Sequence, residues 1–351
     1  MRAAQWQDYE LIDTLDGERL ERWGDILLIR PDPQIIWSGE KKDPRWGQAH
    51  ARYQRSSSGG GKWTHYKKVP EVWKIQWEGL TFRLKTMGFK HTGIFPEQAV
   101  NWRFAMEKIQ GANRPPEDPV RVLNLFGYTG AATLACMKAG AVVTHVDASK
   151  GMVQWAKENA QASSLAERPV RWLVDDCMKF VQREQRRGRT YDGIIMDPPS
   201  YGRGPGGEVW KLEEQLYGLI QMCVPILSED PLFFILNSYT TGLSPSVMEY
   251  LLGVLLQKRF GGRVSSDEIG LPVTSTGLVL PCGSTAIWAG DPAGQVAVRD
   301  RTGHVAARGR AGQFALWGGG YGRACADSQR TSAPSAWALK SRTALKGAGV
   351  F

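Results

Sequence analysis

Acidic residues follow three successive apolar runs of the sequence, each of which is predicted as a β-strand. Asp147 ends "AVVTHVD", Asp176 ends "VRWLVDD" and Asp197 ends "YDGIIMD". A carboxylate at the end of a strand can accept hydrogen bonds from ribose hydroxyls or from the N–H groups of a base. Each single aspartate could equally cap a following helix, but three at consecutive strand ends favour a shared ligand site.

A proline corner follows the third of these strands. Pro198 and Pro199 come directly after Asp197, and Ser200 and Tyr201 follow them. Proline fixes its own backbone angle and cannot donate to a strand ladder, so two in a row end the strand and stiffen the turn. A rigid acidic corner beside an aromatic ring is suited to holding a flat group, and a plain turn before a helix is the alternative.

Upstream, the segment "VLNLFGYTGAATL" predicts a strand, a turn with two glycines and the start of a helix. The dinucleotide fingerprint G-x-G-x-x-G is absent, so no pyrophosphate cradle is indicated. Asp147 lies 17 positions after Gly130, where an acid accepts hydrogen bonds from ribose hydroxyls. Recognition of adenosine without a phosphate cradle indicates S-adenosylmethionine as the cofactor.

From Val120 onward, short apolar runs alternate with helical stretches, which predicts a parallel sheet covered by helices on both faces. The last two runs, within "GRVSSDEIGLPVTSTGLVLPCG", predict a closing hairpin. The first 90 residues predict short strands and turns instead. Within them, residues 45–68 combine a Ser-Gly stretch with basic and aromatic residues. This composition suits either a solvated surface loop or a mobile loop that contacts the substrate.

These patterns predict three regions: a β-rich N-terminal subdomain in residues 1–90, a methyl-donor-binding α/β domain in residues 91–288, and an Ala/Gly/Arg-rich extension in residues 289–351. The extension has no sustained period and is expected to be poorly ordered. It carries nine basic and three acidic residues, so it supplies +6 of the total net charge of +9. The remainder of the chain is close to neutral, and the total charge is weak support for nucleic-acid binding.

With 351 residues, of which 42% are hydrophobic and 23% charged, the chain has the composition of a globular protein. No apolar run is long enough for a transmembrane helix, and no membrane partner is expected. The start lacks a signal-peptide pattern, and the five dispersed cysteines form neither a zinc motif nor a disulfide framework. We therefore expect a cytoplasmic protein without a metal site, and the sequence does not indicate its oligomeric state.

Five segments together resemble the class I S-adenosylmethionine-dependent methyltransferases. More narrowly, they resemble the branch of bacterial large-subunit ribosomal-RNA methyltransferases that modify cytosine C5 or guanine N2. The segments are "GFKHTGIFPEQAVNW", "LNLFGYTGAATL", "VDAS", "VDDCMKF" and "DPPSYGRG". The resemblance covers about residues 85–288 and implies a Rossmann-like sheet of seven strands whose last strand is antiparallel. It also implies that RNA, with ribosomal RNA favoured, is the substrate.

The resemblance further implies a cofactor site at the carboxyl edge of the sheet. The predicted cofactor residues are Thr92, Phe95, Gln98, Asn124, Phe126, Gly127, Thr129, Gly130, Asp147, Ala148, Ser149, Asp176 and Cys177. In the amino-methylating relatives, a corner of this type holds a planar amine. Asp197 and the Pro198 carbonyl would accept its two N–H bonds, Pro199 would stiffen the turn, and Tyr201 would stack on the base.

Four alternatives stay open. Methyl transfer to cytosine C5 needs a thiolate nucleophile, and the segment after the fifth predicted strand, "NSYTTG", has no cysteine, which favours an exocyclic amine. The acceptor could instead be a protein or a small molecule, which the sequence separates poorly from RNA. A nicotinamide-dependent oxidoreductase is disfavoured by the missing glycine fingerprint, and a non-catalytic RNA-binding protein is disfavoured by the intact acids.

Overall fold

The N-terminal region forms mainly antiparallel β-structure. The computed structural model describes residues 2–56, 60–203, 207, 209–240, 242–291, 296–299 and 305–308. The first eight strands are β1 (Arg2–Ala3), β2 (Tyr9–Leu15), β3 (Glu18–Trp23), β4 (Ile26–Pro31), β5 (Ala51–Arg55), β6 (Gly61–His65), β7 (Trp73–Trp77) and β8 (Leu80–Leu84). Strands β2 to β6 form one sheet in chain order, antiparallel except for the pair β4–β5, and β7 and β8 form a separate hairpin.

Residues 45–68 differ from the long loop that the sequence predicts. They contain most of a short 3-10 helix (Pro44–Gln48) and the paired strands β5 and β6, while residues 57–59 lie outside the described part. The cause is an aromatic pair that the loop-like composition conceals. The Tyr53 ring of β5 packs on the Trp63 ring of β6 at 5.4 Å, and cross-strand pairs of this kind stabilise hairpins.

Strands and helices alternate along the rest of the chain, as the sequence predicts. The strands are β9 (Arg121–Leu125), β10 (Val142–Asp147), β11 (Val170–Val174), β12 (Gly193–Met196), β13 (Tyr201–Arg203), β14 (Val209–Lys211), β15 (Phe233–Ser238), β16 (Arg263–Pro272) and β17 (Val279–Ala289). The helices are α1 (Ala99–Gly111), α2 (Ala131–Lys138), α3 (Lys150–Ala162), α4 (Cys177–Arg186), α5 (Leu212–Cys223), α6 (Pro245–Leu252) and α7 (Lys258–Phe260). A π-helical segment, Gly253–Gln257, joins α6 to α7.

The central sheet has the strand order β1-β16-β17-β15-β12-β9-β10-β11. Strand β17 runs antiparallel to both β15 and β16. The five strands β15, β12, β9, β10 and β11 are all parallel to one another. The predicted seven-stranded sheet with an antiparallel last strand is therefore confirmed. The eighth strand, β1, is an addition: Arg2 and Ala3 pair in parallel with residues of β16.

Each face of the central sheet has its own buried core, because successive side chains of a strand point to opposite faces. On one face, Val122 belongs to a cluster with Leu134, and the same cluster continues to Trp23 of the N-terminal sheet. On the other face, Leu123 belongs to a cluster with Phe234. One continuous core thus packs the N-terminal sheet against the central sheet and fixes its position relative to the strand ends.

Within the predicted extension, the structure describes one antiparallel hairpin, β18 (Val296–Arg299) and β19 (Val305–Arg308), where the sequence predicts no strands. Residues 309–351 lie outside the described residues. In the described part of the chain, no helix combines the length and apolar character needed to cross a bilayer.

Candidate active site

The three predicted aspartates lie on the wall of one cavity. Asp147 is the last residue of β10, Asp176 caps α4 after β11, and Asp197 directly follows β12. All three line a cavity of about 680 Å³, which is within the usual range for small-molecule sites. They meet because the carboxyl ends of parallel strands share one edge of the sheet.

The turn after β9 has an uncommon backbone. Phe126 and Tyr128 have φ angles of 55° and 50°, in the left-handed region that residues with a Cβ rarely adopt. Between them, a Cβ on Gly127 would overlap the ring of His145, so glycine is required there. This tight turn brings the backbone of Tyr128 to Asp147.

Two backbone amides fix the Asp147 carboxylate. Its Oδ2 accepts from the Tyr128 N–H at 2.9 Å, and its Oδ1 accepts from the Ser149 N–H at 2.8 Å. Burial nevertheless raises the pKa of Asp147, because desolvation disfavours the charged form. Each oxygen keeps a further lone pair, so the carboxylate can also accept hydrogen bonds from the two hydroxyls of a ribose.

Asp176 is both a helix cap and a cavity residue. Its Oδ1 accepts from the Lys179 N–H at 2.9 Å and caps α4, and its side chain lines the cavity together with Cys177 and Met178. Burial raises the pKa of the Cys177 thiol well above its usual range, so this cysteine contributes packing rather than a thiolate. A carboxylate beside two soft apolar side chains suits the amine and the faces of an adenine ring.

The other predicted cofactor residues fall into two groups and two exceptions. The main cavity is lined by Phe95, Phe126, Ala148 and Ser149. A smaller neighbouring pocket is lined by Gln98, Asn124, Gly127 and Thr129, and the two share Phe95, Phe126 and Asp197 among their lining residues. Thr92 and Gly130 line neither. Thr92 is fully buried, and Gly130 precedes α2 with a φ of 86°. A Cβ there would press on Ala156, so Gly130 lets α2 approach α3.

The proline corner holds Asp197 in an environment that opposes its ionisation. Burial, followed by the neighbouring charge of Glu97, raises the pKa of Asp197 to about 7. Pro198 is buried, and the Pro199 carbonyl accepts from the indole Nε1–H of Trp210 at 2.6 Å. The corner is therefore fixed by its own prolines and by a hydrogen bond from the β13–β14 hairpin.

Tyr201, the predicted stacking ring, is not brought to the cavity. It pairs with Lys211 at the start of the β13–β14 hairpin, and it is 55% exposed. The pair Gly202 and Trp210 lines the cavity instead. Neighbouring residues of a strand face opposite sides, so Tyr201 and Gly202 cannot both face inward. Trp210 thus takes the position expected for Tyr201, and it packs on Phe126 at 5.2 Å.

Among the cavity residues that the sequence did not reveal are the buried Glu97 and the half-buried Tyr239. Glu97 is 3% exposed, its Oε2 has no hydrogen-bond partner within the described residues, and burial raises its pKa. The Tyr239 hydroxyl accepts from the Gln98 Nε2–H at 2.9 Å, and its ring lies 5.4 Å from that of Phe95. The position of Glu97 between two predicted residues was a usable signal, whereas Tyr239 follows β15 and is placed by the fold.

The lining residues fit an adenosyl ligand. The Asp147 carboxylate is fixed by two backbone N–H groups and keeps lone pairs for ligand hydroxyls, and Asp176 lies beside Cys177 and Met178. The turn after β9 has no glycine-rich cradle for phosphates. The rest of the wall includes the aromatic rings of Phe95, Trp210 and Tyr239, the acids Glu97 and Asp197, and two cations, Arg19 and Lys90.

Comparisons with known proteins agree with this fit. A family model described as S-adenosylmethionine-dependent methyltransferase matches residues 42–226, which is more than half of the chain. A solved SAM-dependent methyltransferase from Agrobacterium tumefaciens is 38% identical, with a TM-score of 0.77 over 82% of this chain and 92% of that one. A methyltransferase structure from Streptococcus mutans has a TM-score of 0.62 at 20% identity, over 82% of this chain and 76% of that one, which is a likeness of fold alone.

Among curated proteins, the ribosomal RNA large subunit methyltransferase K/L of Shewanella frigidimarina is 31% identical over 153 residues. These residues are 42% of this chain and 20% of that protein, so the chain spans about a fifth of the length of the curated relatives it matches. The family match also excludes the nicotinamide-dependent oxidoreductase. The chain belongs to the S-adenosylmethionine-dependent methyltransferase family, and S-adenosylmethionine is its cofactor.

Proposed function

We propose that this protein methylates an exocyclic amine of a base in RNA, with ribosomal RNA as the favoured target. One observation carries the proposal: Asp197 and the two prolines that follow it line the cofactor cavity. The relatives named ribosomal RNA large subunit methyltransferases support RNA as the acceptor. A ribosomal substrate is also consistent with the cytoplasmic location expected from the sequence.

The cofactor supplies an electrophilic methyl group on its sulfonium. Asp147 would accept hydrogen bonds from the ribose hydroxyls, and Asp176 would accept one from the adenine amine. Both carboxylates are held by backbone N–H groups before any ligand arrives. Such preorganisation reduces the ordering that binding requires.

At the acceptor, the Asp197 carboxylate and the Pro198 carbonyl would accept hydrogen bonds from the two N–H groups of a planar amine. The nitrogen lone pair then faces the methyl donor, and this orientation can supply several kcal/mol of the barrier. As the N–C bond formed, the methyl–sulfur bond would break with its electron pair left on sulfur, and the nitrogen would gain positive charge. The hydrogen-bonded Asp197 would take one of the protons of that nitrogen. A pKa of about 7 suits this exchange, because a general base works best near the operating pH.

Flat side chains border the place that the base would occupy. Trp210, Phe95 and Tyr239 line the cavity, and aromatic stacking on a base contributes roughly 1–3 kcal/mol. A base inside a folded RNA must be unpaired or flipped out to reach such a pocket. We therefore expect a single-stranded or locally opened target.

The cysteines favour an amine over cytosine C5 as the acceptor. Within the described residues, Cys177 is the cysteine that lines the cavity. Burial raises the pKa of its thiol, and the charges of Asp147 and Asp176 add to the effect. A C5 mechanism needs a thiolate at this place, and these surroundings oppose its formation.

The proposal is tested with labelled S-adenosylmethionine and the purified protein. Total RNA and total protein from a strain that lacks the gene are offered as acceptors, and the methylated nucleoside is identified by mass spectrometry. We expect label in RNA on an exocyclic nitrogen. Label only in protein would reject RNA as the acceptor, and label on carbon C5 would reject the amine.

One variant and a matched control test whether the proline corner is needed for methyl transfer. Asp197→Ala should abolish turnover while S-adenosylmethionine still binds. Asp118→Ala is the matched control, because Asp118 pairs with Arg114 at the surface and lies outside the cavity. Full turnover by Asp197→Ala would mean that the corner is only a turn.

A further inference from the structure

Two cations line the same cavity and have no part in the chemistry proposed above. Arg19 belongs to β3 of the N-terminal sheet, and Lys90 follows β8. Arg19 is 7% exposed, and its Nε has no hydrogen-bond partner in the described part of the chain. Burying a polar donor without a partner is costly, which makes this arginine a candidate for binding a ligand.

The nearer of the two acids beside Arg19 is engaged by another arginine. Both oxygens of Glu21 accept from Arg30, at 2.5 and 2.6 Å. Arg19 approaches Glu21 only at 3.5 Å and Asp32 only at 3.6 Å. With Lys90 included, these five groups are three cations and two anions. Glu97 on the same cavity wall also interacts with Arg19, but burial raises its pKa and so disfavours its charge.

The Lys90 ammonium is repelled by the neighbouring arginines Arg19 and Arg30. Its ammonium has one hydrogen bond among the described contacts, a long one of 3.5 Å to the Pro31 carbonyl. Burial, together with Arg19 and Arg30, lowers the pKa of Lys90 to about 8. The adjacent His91 is uncharged, since burial and the same cations lower its pKa to about 3. An anion placed between Arg19 and Lys90 would relieve their repulsion.

We infer that Arg19 and Lys90 form a phosphate-binding subsite, which holds a backbone phosphate of the nucleotide whose base enters the Asp197 corner. The inference rests on the proposed function and adds the substrate class: a nucleotide, recognised by its amine at one wall and by its phosphate at another. It also gives the N-terminal sheet a role, because Arg19 is carried by that sheet. Phosphate is suited to this pair, since arginine and lysine are the usual phosphate ligands.

The test compares nucleosides with their 5′-monophosphates. Adenosine, cytidine and guanosine, and the corresponding monophosphates, are titrated by calorimetry into protein saturated with S-adenosylhomocysteine. We expect at least one monophosphate to bind about tenfold more tightly than its nucleoside, as for a charge-assisted hydrogen bond. Lys90→Met should remove this advantage, and Lys42→Met should keep it, because Lys42 is exposed and its ion pair within the described residues is with Glu40 at 4.0 Å.

Lys90→Met is preferred to a change at Arg19. Arg19 is packed in the buried ionic cluster with Glu21 and Asp32, so its replacement would also test folding. Equal affinity for nucleosides and monophosphates in the wild type would overturn the subsite. A loss of S-adenosylhomocysteine affinity in Lys90→Met would assign the cations to the cofactor carboxylate, and would overturn it too. Methyl transfer to RNA by the wild-type protein does not depend on either result, so a failure of the subsite is distinguishable from a failure of the proposed function.

Discussion

Replacing Asp197 by asparagine should make the protein more stable at high pH and inactive in methyl transfer. Burial and Glu97 raise the pKa of Asp197 from an ordinary 3.8 to about 7. Between these two values, the folded protein holds a proton at Asp197 that the unfolded chain has released. Its free energy of unfolding therefore falls as the pH rises through this window.

The magnitude follows from the same pKa values. At about 1.36 kcal/mol per pH unit, wild-type stability should fall by about 2–3 kcal/mol between pH 5 and pH 8 through Asp197 alone. The side-chain amide of the Asp197→Asn variant cannot ionise, so the variant should gain this amount relative to the wild type over that interval. Relief of the repulsion with Glu97 acts in the same direction.

Urea unfolding at pH 5, 6, 7 and 8, followed by tryptophan fluorescence, measures the difference. Asp118→Asn serves as the control, since that carboxylate is exposed and paired at the surface. A stability difference between wild type and Asp197→Asn that stays constant across the four pH values would refute the reasoning. Asp197 would then titrate normally, and its assignment as a base near neutral pH would lose its support.

Three further predictions concern other parts of the site. Asp147→Ala should weaken S-adenosylmethionine binding by at least about tenfold, because two charge-assisted bonds to ribose are lost; unchanged affinity by calorimetry would contradict the ribose assignment. Gly127→Ala should lower the free energy of unfolding by about 1–3 kcal/mol, since the new methyl group overlaps His145; an unchanged urea midpoint would show that the turn can adjust. Glu21→Gln should cost about 3–5 kcal/mol, because Arg30 loses its buried partner; a loss below about 1 kcal/mol would show that the buried pair contributes little.

The central sheet and the acids at its edge could be predicted from the sequence. Asp147, Asp176 and Asp197 each follow a strand, and parallel strands necessarily share their carboxyl edge. The closing hairpin could be predicted because β16 and β17 are long and are joined by a short turn. These inferences need only the order of elements along the chain, which the sequence contains directly.

The cavity residues that the sequence did not reveal lie far apart in the chain and come together only in the folded structure. Arg19 and Tyr239 are separated by 220 positions and line the same cavity. Trp210, rather than Tyr201, lines the cavity because of the register of a short hairpin. A shift of one residue in that register would turn each side chain to the opposite face of the hairpin. The strands of residues 45–68 were hidden because Ser, Gly, Arg and Lys are common in both loops and exposed hairpins.

The continuous core between the N-terminal and central sheets has an evolutionary consequence. Because Trp23 and Val122 share one packed cluster, the orientation of the first sheet is set by interior contacts rather than by a hinge. Substitutions on its edge strand β6 are therefore expected to leave the spacing between Arg19 and Asp197 unchanged. Sequence drift at the rim of the molecule is thus uncoupled from the geometry at its centre.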